Sequence, residues 1–203
     1  MPDMPKTINA LDVMKAFQEH RGDVIVTTSG TAGRHWLEVG TNERRDVTFG
    51  GAMGQAAPSA LGLALGLPDE KVVLFDSEGA LLMNLGVLAT IAGKKPKNFF
   101  HFLLDNECYA TTGGQPVPNA LEIDYAGMAK SAGYRSTPCF DDLEEFVTSV
   151  GSIMEEEGPV FVSVKIVPEV QNLPISLRVR TPSRSRAESI QTLQEELGIS
   201  AAG

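Results

Sequence analysis

The stretch 71-KVVLFDSEGALLMNLG-86 changes character in the middle. In the segment 71–75, Lys71 is followed by an unbroken apolar run, which is typical of a strand that is buried on both faces. From residue 80 to residue 93 the apolar side chains recur at helical spacing. The stretch therefore predicts a buried strand, a polar turn and a helix, which is the repeating unit of a parallel α/β sheet.

The same alternation of strand-like and helix-like segments runs through most of the chain. Further strands are predicted at 23–28, 46–49, 98–104, 134–137 and 159–167. Further helices are predicted at 7–20, 31–39, 56–67, 122–132 and 141–157. Strands separated by helices predict an α/β fold, a parallel β-sheet sandwiched by helices on both faces.

A second stretch, 98-NFFHFLLDNECYATTGGQ-115, also ends a predicted strand in polar residues, here Asp105 and Asn106. In a parallel sheet, ligands bind where the carboxyl ends of the strands meet the following helices. The Glu78 and Asn106 oxygens are hard ligands of the kind that Mg²⁺ prefers, and the helix that starts near Gly79 favours an anion. The pair predicts a metal that bridges the protein to a diphosphate. The alternative is that Glu78 and Asn106 are ordinary turn and capping residues.

The composition excludes several classes of protein. The formal net charge of -9 argues against a nucleic-acid partner, because phosphate binding needs a basic surface. Two cysteines, Cys108 and Cys139, are too few for a disulfide framework or a zinc site. There is neither an apolar run long enough for a membrane span nor a secretory signal pattern at the start of the sequence. We expect a cytoplasmic protein without membrane contact.

The chain is expected to divide near residue 170. Residues 1–170 form the predicted α/β domain, and residues 171–203 form a C-terminal arm with a short helix at 186–197. The arm carries four arginines between 178 and 186. We expect them at a subunit contact or in solvent, and the alternative is that they reach an anionic sulfonate or phosphonate.

Four blocks, taken together, resemble the diphosphate-binding domain of thiamine diphosphate-dependent decarboxylases, and most closely the sulfopyruvate and phosphonopyruvate decarboxylases. They occur in the same order as in that family and read 26-VTTSGTAGRHW-36, 50-GGAMGQAA-57, 77-SEGALLMNLG-86 and 104-LDNECYATTGGQ-115. Ser77-Glu78-Gly79 stands at the position of the family's Gly-Asp-Gly motif, and Asp105-Asn106 at that of its Asn-Asn pair.

The resemblance implies two cofactors, thiamine diphosphate and Mg²⁺. The metal ligands would be the side chains of Glu78 and Asn106 and the backbone carbonyl of Cys108. The cofactor-binding residues would be Thr28, Ser29, Gly51, Ala52, Met53, Glu78, Gly79, Ala80, Asn106, Cys108 and Tyr109. Within this set, Gly79 and Ala80 would offer amides to the diphosphate. Met53 would force the cofactor into its bent shape, and the Gly51 carbonyl would accept from the 4′-amino group.

Three of the four blocks depart from the family pattern. Glu78 is one methylene longer than the usual aspartate, and Ser77 replaces a glycine. Gln55 stands where the relatives commonly have histidine, and Ala32-Gly33-Arg34 replaces a Ser-Arg-Glu segment. These changes indicate either a different substrate or a weakened cofactor site.

The resemblance covers one of the two cofactor-binding domains of the family. It implies a β subunit of a 2-oxo acid decarboxylase that converts 3-sulfopyruvate to sulfoacetaldehyde and CO₂. An α subunit with the pyrimidine-binding domain would supply the activating glutamate, and self-association in a hetero-oligomer is expected. Two alternatives stay open: a phosphonopyruvate decarboxylase or other 2-oxo acid lyase or synthase subunit, and a non-catalytic partner subunit that has lost the cofactor.

Overall fold

A computed structural model gives the structure of the protein and describes residues 8–49, 53–170, 173, 177 and 184–199. Its main sheet has six strands in the order β2-β1-β3-β4-β8-β7, and every neighbouring pair is parallel. Helices cover both faces, so the predicted α/β fold is confirmed.

The strands of the main sheet are β1 Ile25–Thr28, β2 Asp46–Thr48, β3 Val72–Ser77, β4 Phe99–Asp105, β7 Cys139–Phe140 and β8 Val160–Lys165. A separate antiparallel pair follows β4 and consists of β5 Cys108–Tyr109 and β6 Gln115–Pro116. The strand predicted at 134–137 is wrong. Ser136 forms only an isolated bridge to Val160, and regular pairing starts after Pro138, which has no N–H to donate.

The helices are α1 Ala10–Glu19, α2 Gly30–Val39, α3 Ala56–Gly66, α4 Glu78–Met83, α5 Val87–Lys94, α6 Tyr125–Ala132, α7 Leu143–Met154 and α8 Arg186–Glu196. The single helix predicted at 80–93 is wrong, because α4 ends at Met83 and α5 starts at Val87. Asn84 leaves the helical conformation with φ -145° and ψ 50°, and its side-chain amide donates to the Gly54 carbonyl at 3.1 Å. That long-range bond ends the first helix. Among the described residues, no helix is long and apolar enough to cross a membrane.

Two apolar layers hold the sheet, because alternate residues of each strand point to opposite faces. Val73 and Phe75 of β3 pack towards α1, α2 and α7. Val72 and Leu74 pack towards α3, α5 and α6. The central strands β3, β4 and β8 are buried along nearly their whole length, which explains their unbroken apolar runs.

Helix α8 lies against β2, the edge strand of the sheet. The Thr48 N–H donates to the buried Ser189 hydroxyl at 3.2 Å, which uses a backbone donor at the sheet edge. A capping box between Ser185 and Glu188 starts the helix, and Leu193 packs into the core. The predicted short helix at 186–197 is therefore present, whereas the division of the chain at residue 170 stays a prediction.

A substitution in the aromatic cluster between the sheet and α1 tests this packing. Phe75 lies 5.1 Å from Phe17, 5.2 Å from Phe102 and 5.8 Å from Trp36, measured between ring centroids. We expect Phe75→Ala to lower the free energy of unfolding by about 3–5 kcal/mol, because it leaves a cavity among these rings. Urea denaturation measures the change. Leu121→Ala, at a side chain that is 80% exposed, is the control and should change it by less than about 0.5 kcal/mol. Equal effects of the two substitutions would contradict this account of the core.

Candidate active site

A cavity of about 510 Å³ opens at the carboxyl ends of β1, β3 and β4. It is lined by eight of the residues predicted to bind the cofactor: Thr28, Ser29, Met53, Gly79, Ala80, Asn106, Cys108 and Tyr109. Gly51 and Ala52 lie outside the described residues. The fold thus brings together three of the four sequence blocks and the described part of the fourth, while the roles assigned to these residues stay predictions.

Glu78 is the first residue of α4 and is fully buried behind the cavity wall. Its Oε2 accepts from the Asn106 N–H at 3.4 Å, and its Oε1 has no hydrogen-bond partner within the described part of the chain. Burial raises the pKa of Glu78 to about 7, and the nearby Asp105 carboxylate adds to the rise. A buried carboxylate with an unused oxygen fits a bound divalent cation, which would favour the charged form.

The turn after β4 places Asn106 and Cys108 beside Glu78. The Asn106 Oδ1 accepts from the Cys108 N–H at 3.1 Å, and Glu107 adopts a left-handed conformation with φ 64°. Lys165 anchors the turn through Asp105 at 3.0 Å and Glu107 at 2.6 Å. Because an ion pair on each side of Asn106 holds the turn, its oxygens are fixed in position next to the buried carboxylate.

The alternative interpretation of Glu78 and Asn106 as turn and capping residues is only partly supported. The N-cap of α4 is Ser77, whose hydroxyl accepts from the Ala80 N–H at 3.4 Å. Asn106 does form a local turn bond. No group of three or more His, Cys, Asp or Glu side chains within the described ranges is arranged to hold a metal, so a cation here would use carboxylate, amide and backbone oxygens together.

Gly79 lies directly under the ring of Tyr109. A Cβ atom at position 79 would be 2.8 Å from Cε1 of that ring and 3.7 Å from Cε of Met53. A side chain larger than that of glycine at position 79 would therefore clash with the Tyr109 ring. Two residues that the sequence places in separate blocks, Met53 and Tyr109, converge over the first turn of α4.

A buried polar chain that sequence reasoning missed lies behind Ser29. The Ser29 hydroxyl donates to Asp76 Oδ1 at 2.5 Å, and the other Asp76 oxygen lies 3.5 Å from His101 Nε2. His101 Nδ1 is 3.4 Å from the Tyr134 hydroxyl. His101 is fully buried within β4, as its place inside an apolar run predicts. The sequence feature that could have indicated these buried polar contacts is Asp76, a carboxylate within a strand that is otherwise apolar.

Two arginines line the cavity without having been predicted there. Arg34 comes from α2, and Arg184 precedes α8. Arg184 donates to the backbone carbonyls of Glu43 and, at 3.1 Å, Asp46. These carbonyls hold Arg184 at the cavity wall, while a subunit contact for the arm arginines stays a prediction. Arg178 and Arg180 lie outside the described residues.

Comparison with known proteins identifies the family of the chain. The family model described as "Thiamine pyrophosphate enzyme, C-terminal TPP binding domain" matches residues 27–164. The chain belongs to this family of thiamine pyrophosphate enzymes and carries their TPP-binding domain.

Curated relatives with similar sequence identity to this chain are of two kinds. The chain is 40% identical over 125 residues to sulfopyruvate decarboxylase subunit beta of Methanothermobacter thermautotrophicus, covering 62% of this chain and 64% of the relative. It is 33% identical to the subunit of that name in Methanocaldococcus jannaschii, covering 78% and 84%. It is 36% identical to phosphonopyruvate decarboxylase of Streptomyces hygroscopicus, covering 71% of this chain and 35% of the relative. The chain thus spans about a third of that enzyme's length.

Among solved structures, benzoylformate decarboxylase from Polynucleobacter necessarius matches with a TM-score of 0.68 and 19% identity. The match covers 85% of this chain and 35% of that protein. At this identity the likeness concerns the fold.

The raised pKa of Glu78 predicts how the stability of the metal-free protein depends on pH. The folded protein binds more protons than the unfolded chain between pH 4.5 and about 7, so stability should fall as the pH rises through that window. The loss attributable to Glu78 is about 3 kcal/mol, since one pKa unit corresponds to about 1.4 kcal/mol. Glu78→Gln removes this contribution. Urea denaturation of both proteins at pH 5 and pH 8 gives the difference, and a difference that does not change with pH would contradict the burial of a titrating Glu78.

Gly79→Ala should destabilise the protein by about 1–3 kcal/mol, because the new methyl group forces the Tyr109 ring out of place. Gly93→Ala is the matched control, since position 93 lies within α5 and a Cβ there meets nothing within 4 Å. The control should stabilise the helix by roughly 0.5–1 kcal/mol. Thermal unfolding compares the two, and a neutral Gly79→Ala would show that the Tyr109 ring does not constrain the turn.

Proposed function

We propose that this chain is the β subunit of a thiamine diphosphate-dependent 2-oxo acid decarboxylase. In complex with an α subunit it would convert 3-sulfopyruvate to sulfoacetaldehyde and CO₂, with a proton taking the place of the lost carboxylate. The observation that carries the proposal is the Glu78 carboxylate, which is buried with an unused oxygen between Ser77 and Gly79, both of which line the cavity that eight predicted cofactor residues share.

Glu78, the Asn106 side chain and the Cys108 carbonyl would hold Mg²⁺, and Gly79 and Ala80 would offer amides to the diphosphate. Thiamine diphosphate, when bound, supplies the carbon nucleophile and the electron sink for the loss of CO₂ from a 2-oxo acid. The chain's own part is to anchor the diphosphate through the metal and to exclude water from the cavity.

Met53 would bend the cofactor. Its methyl group lies 3.7 Å from the Cβ position of Gly79, so this side chain reaches over the first turn of α4. It is 45% exposed, which leaves room for a ligand or a partner subunit to cover it. Thr28 and Ser29 would contact the cofactor from the opposite wall of the cavity.

The proposal includes an α subunit, because relatives at 33–40% identity are named as a subunit beta. The α subunit would carry the pyrimidine-binding domain and its activating glutamate, and the two kinds of subunit would form a hetero-oligomer. A cytoplasmic location is part of the proposal and is supported by two cysteines that form no disulfide.

Two alternatives to this proposal, one for the substrate and one for the class of protein, are tested in the same experiments. Phosphonopyruvate is the competing substrate, because phosphonopyruvate decarboxylases match at 35–36% identity. A non-catalytic partner subunit is the competing class, because the Ser77-Glu78-Gly79 segment departs from the Gly-Asp-Gly motif.

Calorimetric titration of thiamine diphosphate with MgCl₂, into this chain alone and then with a candidate α subunit, tests the proposal. We expect binding that requires Mg²⁺ and that Glu78→Gln weakens at least about 100-fold, the upper end of the cost of removing an outer-shell metal partner. Glu122→Gln is the matched control, because this carboxylate is exposed and does not line the cavity. It should change the affinity by less than about threefold.

Decarboxylation by the complex is then assayed with 3-sulfopyruvate, phosphonopyruvate and pyruvate. A higher kcat/KM for 3-sulfopyruvate supports the proposed substrate, and a higher value for phosphonopyruvate replaces it. Association of the two subunits without any cofactor binding would establish the non-catalytic subunit instead.

A further inference from the structure

Arg34 is a cation at the cavity that the proposed site does not use. Its side chain is 35% exposed and lines the cavity, and its Nη2 lies 3.3 Å from Glu169 Oε2. Its Nε is buried, and no described residue accepts from it. Arg34 therefore retains a donor for a further acceptor.

Arg34 lines the same cavity as the predicted diphosphate turn. The cavity wall includes Arg34 of α2 together with Gly79 and Ala80 of the first turn of α4. The start of α2 lies close to that turn, since a Cβ at Gly30 would be 3.5 Å from the Ser77 hydroxyl.

The other charged residues at the cavity are Glu43, Asp46 and Arg184. Glu43 is an anion, which a diphosphate would repel, and the other two have partners of their own. Arg184 donates to two backbone carbonyls, and Asp46 accepts from the buried Arg21 at 2.6 Å. Arg34 is held by a partly exposed ion pair of the kind that contributes little, so its guanidinium can turn towards a stronger acceptor at low cost.

We propose that Arg34 binds the diphosphate of the cofactor. This inference rests on the proposed function. A diphosphate here lies close to the negative Glu78, and a single divalent cation leaves negative charge uncompensated. A guanidinium offers paired N–H donors to two phosphate oxygens, which suits it to that charge and shape. Glu169 also lies 2.8 Å from Nε2 of the buried His35, so this carboxylate keeps a partner when Arg34 turns towards the diphosphate.

The chain contains a convenient probe for this test. Trp36 is its single tryptophan, is buried, and lines the same cavity two residues beyond Arg34. Its fluorescence should therefore change when the cavity is filled. The full chain, or its complex with the α subunit where binding requires it, is titrated with thiamine diphosphate in MgCl₂ and separately with thiamine, which has no phosphate.

We expect Arg34→Gln to weaken thiamine diphosphate binding about 10- to 100-fold, the range for losing hydrogen bonds to a charged group. The affinity for thiamine should change by less than about twofold, since it lacks the acceptor. Arg34→Lys should recover part of the loss, because it keeps the charge but not the paired donors. The loss should shrink at high salt, since screening weakens the charge interaction.

Glu169→Gln distinguishes diphosphate binding by Arg34 from a purely structural role of the Arg34–Glu169 ion pair. If Arg34 binds the diphosphate, removing its carboxylate partner leaves the cation in place, and the affinity should be kept or improved. If Glu169→Gln weakens binding as much as Arg34→Gln does, the ion pair shapes the cavity and the proposal is overturned. Equal binding by Arg34→Gln and the wild-type chain also overturns it, as does an equal loss for thiamine.

Failure of the proposed function gives a different result. A wild-type chain that binds no thiamine diphosphate in MgCl₂, alone or in the complex, removes the cofactor site and this inference with it. If the wild-type chain and Arg34→Gln bind thiamine diphosphate equally well, the proposed function stands and only the role of Arg34 is overturned.

Discussion

The burial of the Glu78 carboxylate at the end of the central strand β3 is the constraint on which the site depends. In the apolar interior the charged form is disfavoured, which is why its pKa rises to about 7. One oxygen receives the Asn106 N–H and the other receives nothing from the described residues. The arrangement makes the metal-free fold less stable, and in the proposed site a divalent cation would offset that cost, because charges interact strongly in a buried environment.

The parallel sheet supplies the rest of the site, because it brings the carboxyl ends of β1, β3 and β4 to one edge. Each end contributes a different element. β1 leads to Ser29, β3 leads to the first turn of α4, and β4 leads to the turn that Lys165 of β8 anchors. Neighbouring strands thus fix the geometry of a site whose residues are scattered along the sequence.

The fold and most of the cavity could be predicted because they depend on local patterns. Buried strands produce unbroken apolar runs, and the four sequence blocks end at one edge of the sheet. The errors and omissions have long-range causes. Asn84 breaks the helix predicted at 80–93 by bonding to Gly54, and Arg184 reaches the cavity because α8 docks on the edge strand. The partner of Ser29 is Asp76, 47 residues away, and no local spacing could reveal that bond.

The departures from the Gly-Asp-Gly motif have structural compensation. Ser77 replaces a flexible glycine, but its hydroxyl caps α4 and lies against the face of α2 that begins at Gly30. Glu78 is longer than aspartate, yet it is fully enclosed and its Oε2 still receives the backbone of the Asn106 turn. An amide or an apolar side chain at position 78 would make the metal-free fold more stable. The burial of a carboxylate there therefore supports the proposed metal site over the alternative of a subunit without a cofactor.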